Sequence, residues 1–286
     1  MTLPVALRVN LAGPLPVATL AMAGRPTQFG IDEADIPDAL ALARRCAHLE
    51  LVGFHFHCLS NHHDAPAHAR LVSGYLEQAR GWATEAGAPL GVVNAGGGIG
   101  VDYGNLDRPF DWAGFCAALA DGLDGATASA PTRTVGRAAP VRLRFECGRY
   151  LVAAWGAYVV EVLDVKTNHG AAFAVVRGGT HHFRLPASWG HSHPFTVVPV
   201  EEWRYPFPRP GVDGGPVTVA GELCSPKDVL ARDVTVDRLR AGDLLWFHHA
   251  GAYGWSISHH DFLHHPHPRS IFLGAALNRS RPPPQW

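Results

Sequence analysis

Leu90-Gly-Val-Val-Asn94-Ala95-Gly96-Gly97-Gly98-Ile99-Gly100 is the stretch on which the fold turns. A short apolar run ending at Asn94 reads as a buried strand, and the glycine cluster directly after it marks a turn at the strand's carboxyl end. Such a turn leaves backbone N–H groups free to cradle a phosphate, although glycine-rich βα turns also serve packing. Working outward, three more strands of the same kind appear: Val5–Val9, Leu51–His57 and Val141–Phe145. Between them lie the helical stretches Ile36–Ala47, Ala65–Ala86 and Trp112–Leu123, the second with Leu71, Tyr75, Leu76, Ala79 and Trp82 near helical spacing. Alternation of this sort predicts βα units and a parallel sheet over residues 1–150, with Gly125–Pro140 as a loop.

Past Arg149 the texture changes to β-branched and aromatic runs broken by Gly and Pro. Tyr158–Leu163, Ala172–Val176, Thr196–Val200, Val217–Val219 and Asp243–Phe247 predict an all-β second domain over 151–286. The class is therefore α/β plus all-β. The tail Arg281–Trp286 reads as an extended end.

Composition narrows the function. The chain has 286 residues, 47% hydrophobic and 17% charged, with 24 basic and 25 acidic side chains. That balance gives no footprint for nucleic acid or an anionic membrane, so a small-molecule substrate is expected. No apolar run approaches the ~18 residues of a membrane span, and Met1–Asn10 lacks the parts of a signal peptide, so a cytoplasmic protein is expected. The five cysteines, Cys46, Cys58, Cys116, Cys147 and Cys224, are never spaced as CxxC and predict thiols rather than disulfides or zinc. Eighteen histidines include the run His259-His260, His264-His265 and His267. Without HExxH spacing or a flanking carboxylate pattern, that run is read as a polar loop and no metal is expected.

Two further strand ends carry chemical side chains. Phe145-Glu146-Cys147-Gly148-Arg149-Tyr150 sets a carboxylate three residues from a guanidinium, able to hold a protonated ring nitrogen and a phosphate, or to form an ordinary strand-end ion pair. Gly53-Phe54-His55-Phe56-His57-Cys58-Leu59-Ser60 places two histidines two residues apart, expected to point to opposite faces so that only one meets a pocket.

Taken in order with Gly221-Glu-Leu-Cys224-Ser-Pro-Lys-Asp228 and Ala250-Gly-Ala-Tyr253-Gly254, these segments resemble the fold-type III pyridoxal-phosphate decarboxylases, the family of the diaminopimelate, ornithine and carboxynorspermidine enzymes. The resemblance runs from about Leu7 to the C-terminus. It implies an alanine-racemase-like (β/α)8 barrel, of which about the last four strands are present, followed by a β-domain. It implies pyridoxal 5'-phosphate as cofactor, with His57 stacked on the ring, Ser60 near the phosphate, Gly96, Gly97 and Gly98 as phosphate loop, and Glu146 facing the pyridine nitrogen. Arg149 and Tyr253 would reach the phosphate. Cys224 would be delivered by a partner subunit to protonate the decarboxylated carbon, which implies a homodimer with shared sites.

The chain also departs from the family. Its only lysines are Lys166 and Lys227, and neither matches the family's cofactor-bearing lysine, which lies upstream of the histidine motif. A (β/α)8 barrel needs eight strands over about 250 residues, against four recognised here. The expectations are, in order, a C-terminal portion of a longer protein or a misplaced start, a separate chain completing the barrel, and pairing of two copies. Where diaminopimelate enzymes tend to read Cys-Glu-Ser-Gly-Asp, this chain has Cys224-Ser225-Pro226-Lys227-Asp228. The segment Arg177–Pro194 resembles instead the members serving carboxylate siderophore pathways, which act on a citryl-diaminopropionate-type intermediate. A citrate-bearing substrate needs cations and donors, which Arg184 with His181, His182 and His191 could supply; Asp228 is a further substrate-side candidate. The alternatives are a diaminopimelate decarboxylase-like enzyme and a non-catalytic protein that keeps the phosphate pocket without the lysine.

Overall fold

In the computed structural model, residues 2–13, 15–16, 20–128 and 140–274 are described, and they divide into two compact units, 1–156 and 157–286. The predicted tail Arg281–Trp286 and most of the predicted loop Gly125–Pro140 lie outside the described residues.

The first unit runs β1 (Leu3–Asn10), β2 (Leu20–Ala21), β3 (Ile31–Asp32), α1 (Ile36–Arg45), β4 (Leu49–Phe56), β5 (Leu59–Ser60), α2 (Ala65–Ala86), β6 (Val92–Asn94), α3 (Trp112–Ala128), β7 (Arg142–Arg144) and α4 (Gly148–Val152). Its main sheet is five-stranded, in the order β3-β1-β4-β6-β7, and every pairing is parallel. The four expected strands are there; the fifth, β3, is two residues long and leaves no periodicity to read. The start of the expected loop at Gly125 is helical, because α3 continues to Ala128.

Helix α2 shows why such a segment is helical. Asp64 caps its start, its side chain accepting from the Ala67 N–H at 2.8 Å, and Gly87 closes its end with φ +54°. Val72, Tyr75, Leu76, Ala79, Trp82 and Ala83 form its buried stripe. Tyr75 stacks on Phe56 of β4 with centroids 4.6 Å apart, and Trp82 lies 5.3 Å from Phe54. Burying aromatic rings of this size contributes roughly 2–3 kcal/mol each, so the α2–β4 seam anchors the unit.

The second unit runs β8 (Tyr158–Asn168), β9 (Ala171–Val176), α5 (Leu185–Trp189), β10 (Phe195–Val198), β11 (Gly211–Asp213), β12 (Pro216–Ala220), β13 (Val229–Thr235), β14 (Arg238–Arg240) and β15 (Leu244–Phe247). Six strands form one sheet in the order β10-β15-β8-β9-β12-β13, antiparallel except for the parallel β9–β12 pair. Val160, Val162, Val176, Val217, Leu230, Leu245, Phe247 and Phe183 are buried here.

Candidate active site

The first unit gathers its chemical groups at the carboxyl ends of the adjacent strands β4, β6 and β7. Glu146, two residues past β7, has a half-exposed side chain whose Oε1 accepts from Asn94 Nδ2 at 2.8 Å. Its backbone N–H donates to the Gly96 carbonyl at 2.7 Å, stitching the two strand ends together. His55 Nε2 lies 3.8 Å from Glu146 Oε2, and burial of His55 pushes its pKa down more strongly than the carboxylate raises it. His57 is likewise held below its ordinary value, first by burial and then by Arg8. Its Nδ1 accepts the Gly97 N–H at 3.2 Å.

The expected opposition of His55 and His57 is corrected here. Residues two apart in a strand share a face, and the Glu146 carboxylate acts on both rings. The glycine loop makes contacts of its own within the protein. The Gly96 N–H donates to Asn94 Oδ1 at 2.9 Å and the Gly97 N–H to His57, so these two amides are engaged within the protein. A Cβ at Gly96 would lie 2.4 Å from the Phe56 carbonyl oxygen, and one at Gly97 would lie 2.4 Å from that of Glu146. Glycine is thus required by backbone packing between strand ends, before any ligand enters. Gly98, with φ +88°, approaches Leu59 in the same way. Ser60 sits in the two-stranded β2–β5 ribbon opposite Leu20. Arg149 is buried in α4 and its Nη1 donates to the Tyr103 hydroxyl at 3.3 Å. Tyr103 and Asn94 went unnoticed in the sequence; Asn94 stands inside a quoted strand, but nothing in a linear reading shows which neighbour it meets.

These residues suit a phosphorylated pyridine. A carboxylate held at the sheet's carboxyl edge, imidazoles kept neutral beside it, a glycine turn and a buried guanidinium are the donor set such a ring needs. The covalent link is different: Lys166 lies in β8 and Lys227 between β12 and β13, both in the second unit.

In the second unit, Asp228 is buried and organises two loops. Its Oδ1 accepts the Thr180 N–H at 2.6 Å and its Oδ2 the Leu223 N–H at 2.9 Å. Exposed Cys224 follows directly. Leu223 and Ser225, its neighbours in sequence, line a cavity of about 570 Å³ with Arg184, Lys227, Arg232, His191 and Asp228. Tyr253 has φ +52°, and its ring lies 5.3 Å from that of Trp189.

Two of the histidines expected as cations, His181 and His182, are held toward the neutral form. His181 is fully buried and pushed down to about 4 by desolvation, and His182 is lowered for the same first reason. Both His182 nitrogens are engaged, Nδ1 with the Tyr158 hydroxyl at 3.1 Å and Nε2 with the Pro266 carbonyl at 2.8 Å. Positive charge in the cavity comes instead from Arg184, Lys227 and Arg232. Arg232 was missed because its strand, β13, was missed.

Residues 56–251 match the family model described as pyridoxal-dependent decarboxylase, C-terminal sheet domain. The chain belongs to the pyridoxal-dependent decarboxylases. Within this family it is 47% identical over 268 residues to the 2-[(L-alanin-3-ylcarbamoyl)methyl]-2-hydroxybutanedioate decarboxylase of Staphylococcus aureus, covering 93% of this chain and 64% of that protein. It is 31% identical over 242 residues to the diaminopimelate decarboxylase of Escherichia coli K12, covering 82% of this chain and 54% of that one. Diaminopimelate decarboxylase of M. jannaschii, solved with L-lysine, shares the fold with a TM-score of 0.72 at 24% identity, over 94% of this chain and 58% of that one. The chain thus spans less than two thirds of the length of these pyridoxal-dependent decarboxylases.

Proposed function

We propose that this chain carries the ring-binding, phosphate-binding and proton-donating parts of a pyridoxal-phosphate-dependent carboxy-lyase that acts on a polycarboxylate amino acid of the citryl-diaminopropionate type. The observation that carries this reading is the second unit's cavity. Among the described residues, three cationic side chains, Arg184, Lys227 and Arg232, line it beside the Cys224 loop, while the one carboxylate lining it, Asp228, is occupied by backbone amides. An aliphatic diamine acid would need the opposite sign. Arg184 alone also suits diaminopimelate, but Lys227 and Arg232 supply charge for further carboxylates. The 47% identity to an enzyme named for a carbamoylmethyl-hydroxybutanedioate supports the same substrate class.

Glu146, oriented by Asn94, would hold a proton on the pyridine nitrogen, and His57 would flank the ring. Gly98, Arg149 and Ser60 would fix the phosphate as uniform binding, without acting on the barrier. Bound there, the cofactor supplies a sink for the electrons released when CO2 leaves. Cys224 would then give its proton to the carbon left behind. Its exposure fits delivery into the site of a second copy in a homodimer.

The five parallel strands of the first unit correspond in this reading to the later part of a (β/α)8 barrel, with the cofactor-bearing lysine supplied by residues outside this sequence. Titrating the 286-residue chain with pyridoxal phosphate, followed by borohydride reduction and intact-mass measurement, tests it. Expected is weak, reversible binding that His57→Ala weakens further, with no stoichiometric adduct. A single stable adduct on Lys166 or Lys227 would overturn the assignment of the lysine.

A further inference from the structure

His181, Glu222 and His265 come from three separate segments of the second unit: the turn after β9, the loop after β12, and the C-terminal histidine run. Their ligand atoms all lie within 4.8 Å of one another. Glu222 Oε1 is 3.9 Å from His181 Nε2 and 3.7 Å from His265 Nδ1, both beyond hydrogen-bond range. His181 is fully buried, and neither of its ring nitrogens has a hydrogen-bond partner among the described residues. Such a ring is costly to bury for nothing, since an unsatisfied buried polar group costs roughly 1–3 kcal/mol.

We infer that His181, Glu222 and His265 form a binding site for a divalent transition-metal ion of the zinc class. Two imidazoles and one carboxylate are a zinc donor set that leaves a fourth position for water. Tetrahedral zinc with bonds near 2.0–2.2 Å places its ligands about 3.3–3.5 Å apart, so the two gaps to Glu222 need close by only a few tenths of an ångström, and the two imidazole nitrogens stand within 4.8 Å of each other. The tail is already held in place, because the residue after His265, Pro266, accepts from His182 at 2.8 Å. An ion here would clip the C-terminal run to the sheet and fix Glu222 two residues from Cys224. The histidine run, read from sequence as a polar loop, supplies only one ligand; the other two are remote in sequence, which is why no spacing motif announces them.

Calorimetric titration of the chelator-treated full chain with Zn2+ tests the site, with Co2+ absorbance as a second reading of four-coordinate geometry. Glu222→Gln and His265→Ala alter partly exposed side chains and are checked for native circular dichroism. Expected is one tightly bound ion per chain, weakened more than about tenfold in each variant, the least that loss of even a supporting contact usually costs, and unchanged in the control His264→Ala. Absence of stoichiometric binding, or equal binding by Glu222→Gln and His265→Ala, would overturn the site.

Discussion

Truncating Asp228 to alanine would strand two buried amides, those of Thr180 and Leu223, which now share its two oxygens. Hydrogen bonds to a charged group contribute about 1.5–3 kcal/mol each, so Asp228→Ala is expected to lower unfolding free energy by about 3 kcal/mol or more in urea titrations, and Asp228→Asn by less. If instead Asp228 serves the substrate alone, stability will stay put. The cavity cations behave oppositely: Arg232→Ala and Lys227→Ala should weaken citrate binding by about tenfold each, on the scale of one charge-assisted contact, with little change in the melt. Isothermal titration at two salt concentrations would register both the loss and its screening. Residue roles of this kind were only partly legible. Glu146, His57, Arg149 and Cys224 stood out as chemical groups at strand ends and in motifs. Asn94, Tyr103 and the working partners of Asp228 did not, because a hydrogen bond between residues 48 or 52 apart leaves no trace in local pattern.

Among the elements, β4 holds the most demanding position. Gly53 has φ +153°, and a Cβ there would fall 1.8 Å from the Val92 carbonyl oxygen of β6. The β1–β4 register also slips just at this point, between Val5 and Ala6. Gly53→Ala is therefore expected to break the β4–β6 pairing, leaving the chain insoluble or without native far-ultraviolet dichroism. Helices were easy to read because they carry both caps and a stripe: α2 begins after Asp64 and ends before Gly87, as its sequence indicates. Strand β13 was not. Asp233 sits within it at φ +51°, and its partner β12 shifts register twice, so the alternation that identifies a strand is interrupted. The two-residue β3 and the three-residue β11 and β14 are too short to show a period at all.

At the scale of the whole molecule, each unit buries a histidine in its neutral form. His68 in the first is pushed down to about 4 and His193 in the second to about 3, in both cases chiefly by desolvation. As pH falls below 6.5 the unfolded chain takes up protons that the folded chain refuses, so stability is present above that value and drains away toward the folded pKa. The loss is on the order of 1 kcal/mol per pH unit for each ring. Urea midpoints measured at about pH 7 and about pH 5 should differ accordingly, and His68→Gln should flatten the dependence. The division into an α/β part and a β part was legible from texture alone. An acidic substrate was expected from Arg184 and the resemblance of Arg177–Pro194, but the places of Lys227 and Arg232 were not, because only folding brings them to the cavity that Arg184 lines.

The parallel β9–β12 pair bears on how quickly the second unit can form. Hairpins zip up from their turns, but these two strands run side by side only after residues 177–215 have looped around, and β8 must wait for β15, over seventy residues further along. Loop-closure entropy is met before those contacts give anything back. The second unit should therefore refold orders of magnitude more slowly than a helical protein of its size, spending that interval with the edges of β8 and β9 open to neighbouring chains. Yield in a cell would then depend on temperature and chain concentration during synthesis more than on the stability of the finished fold.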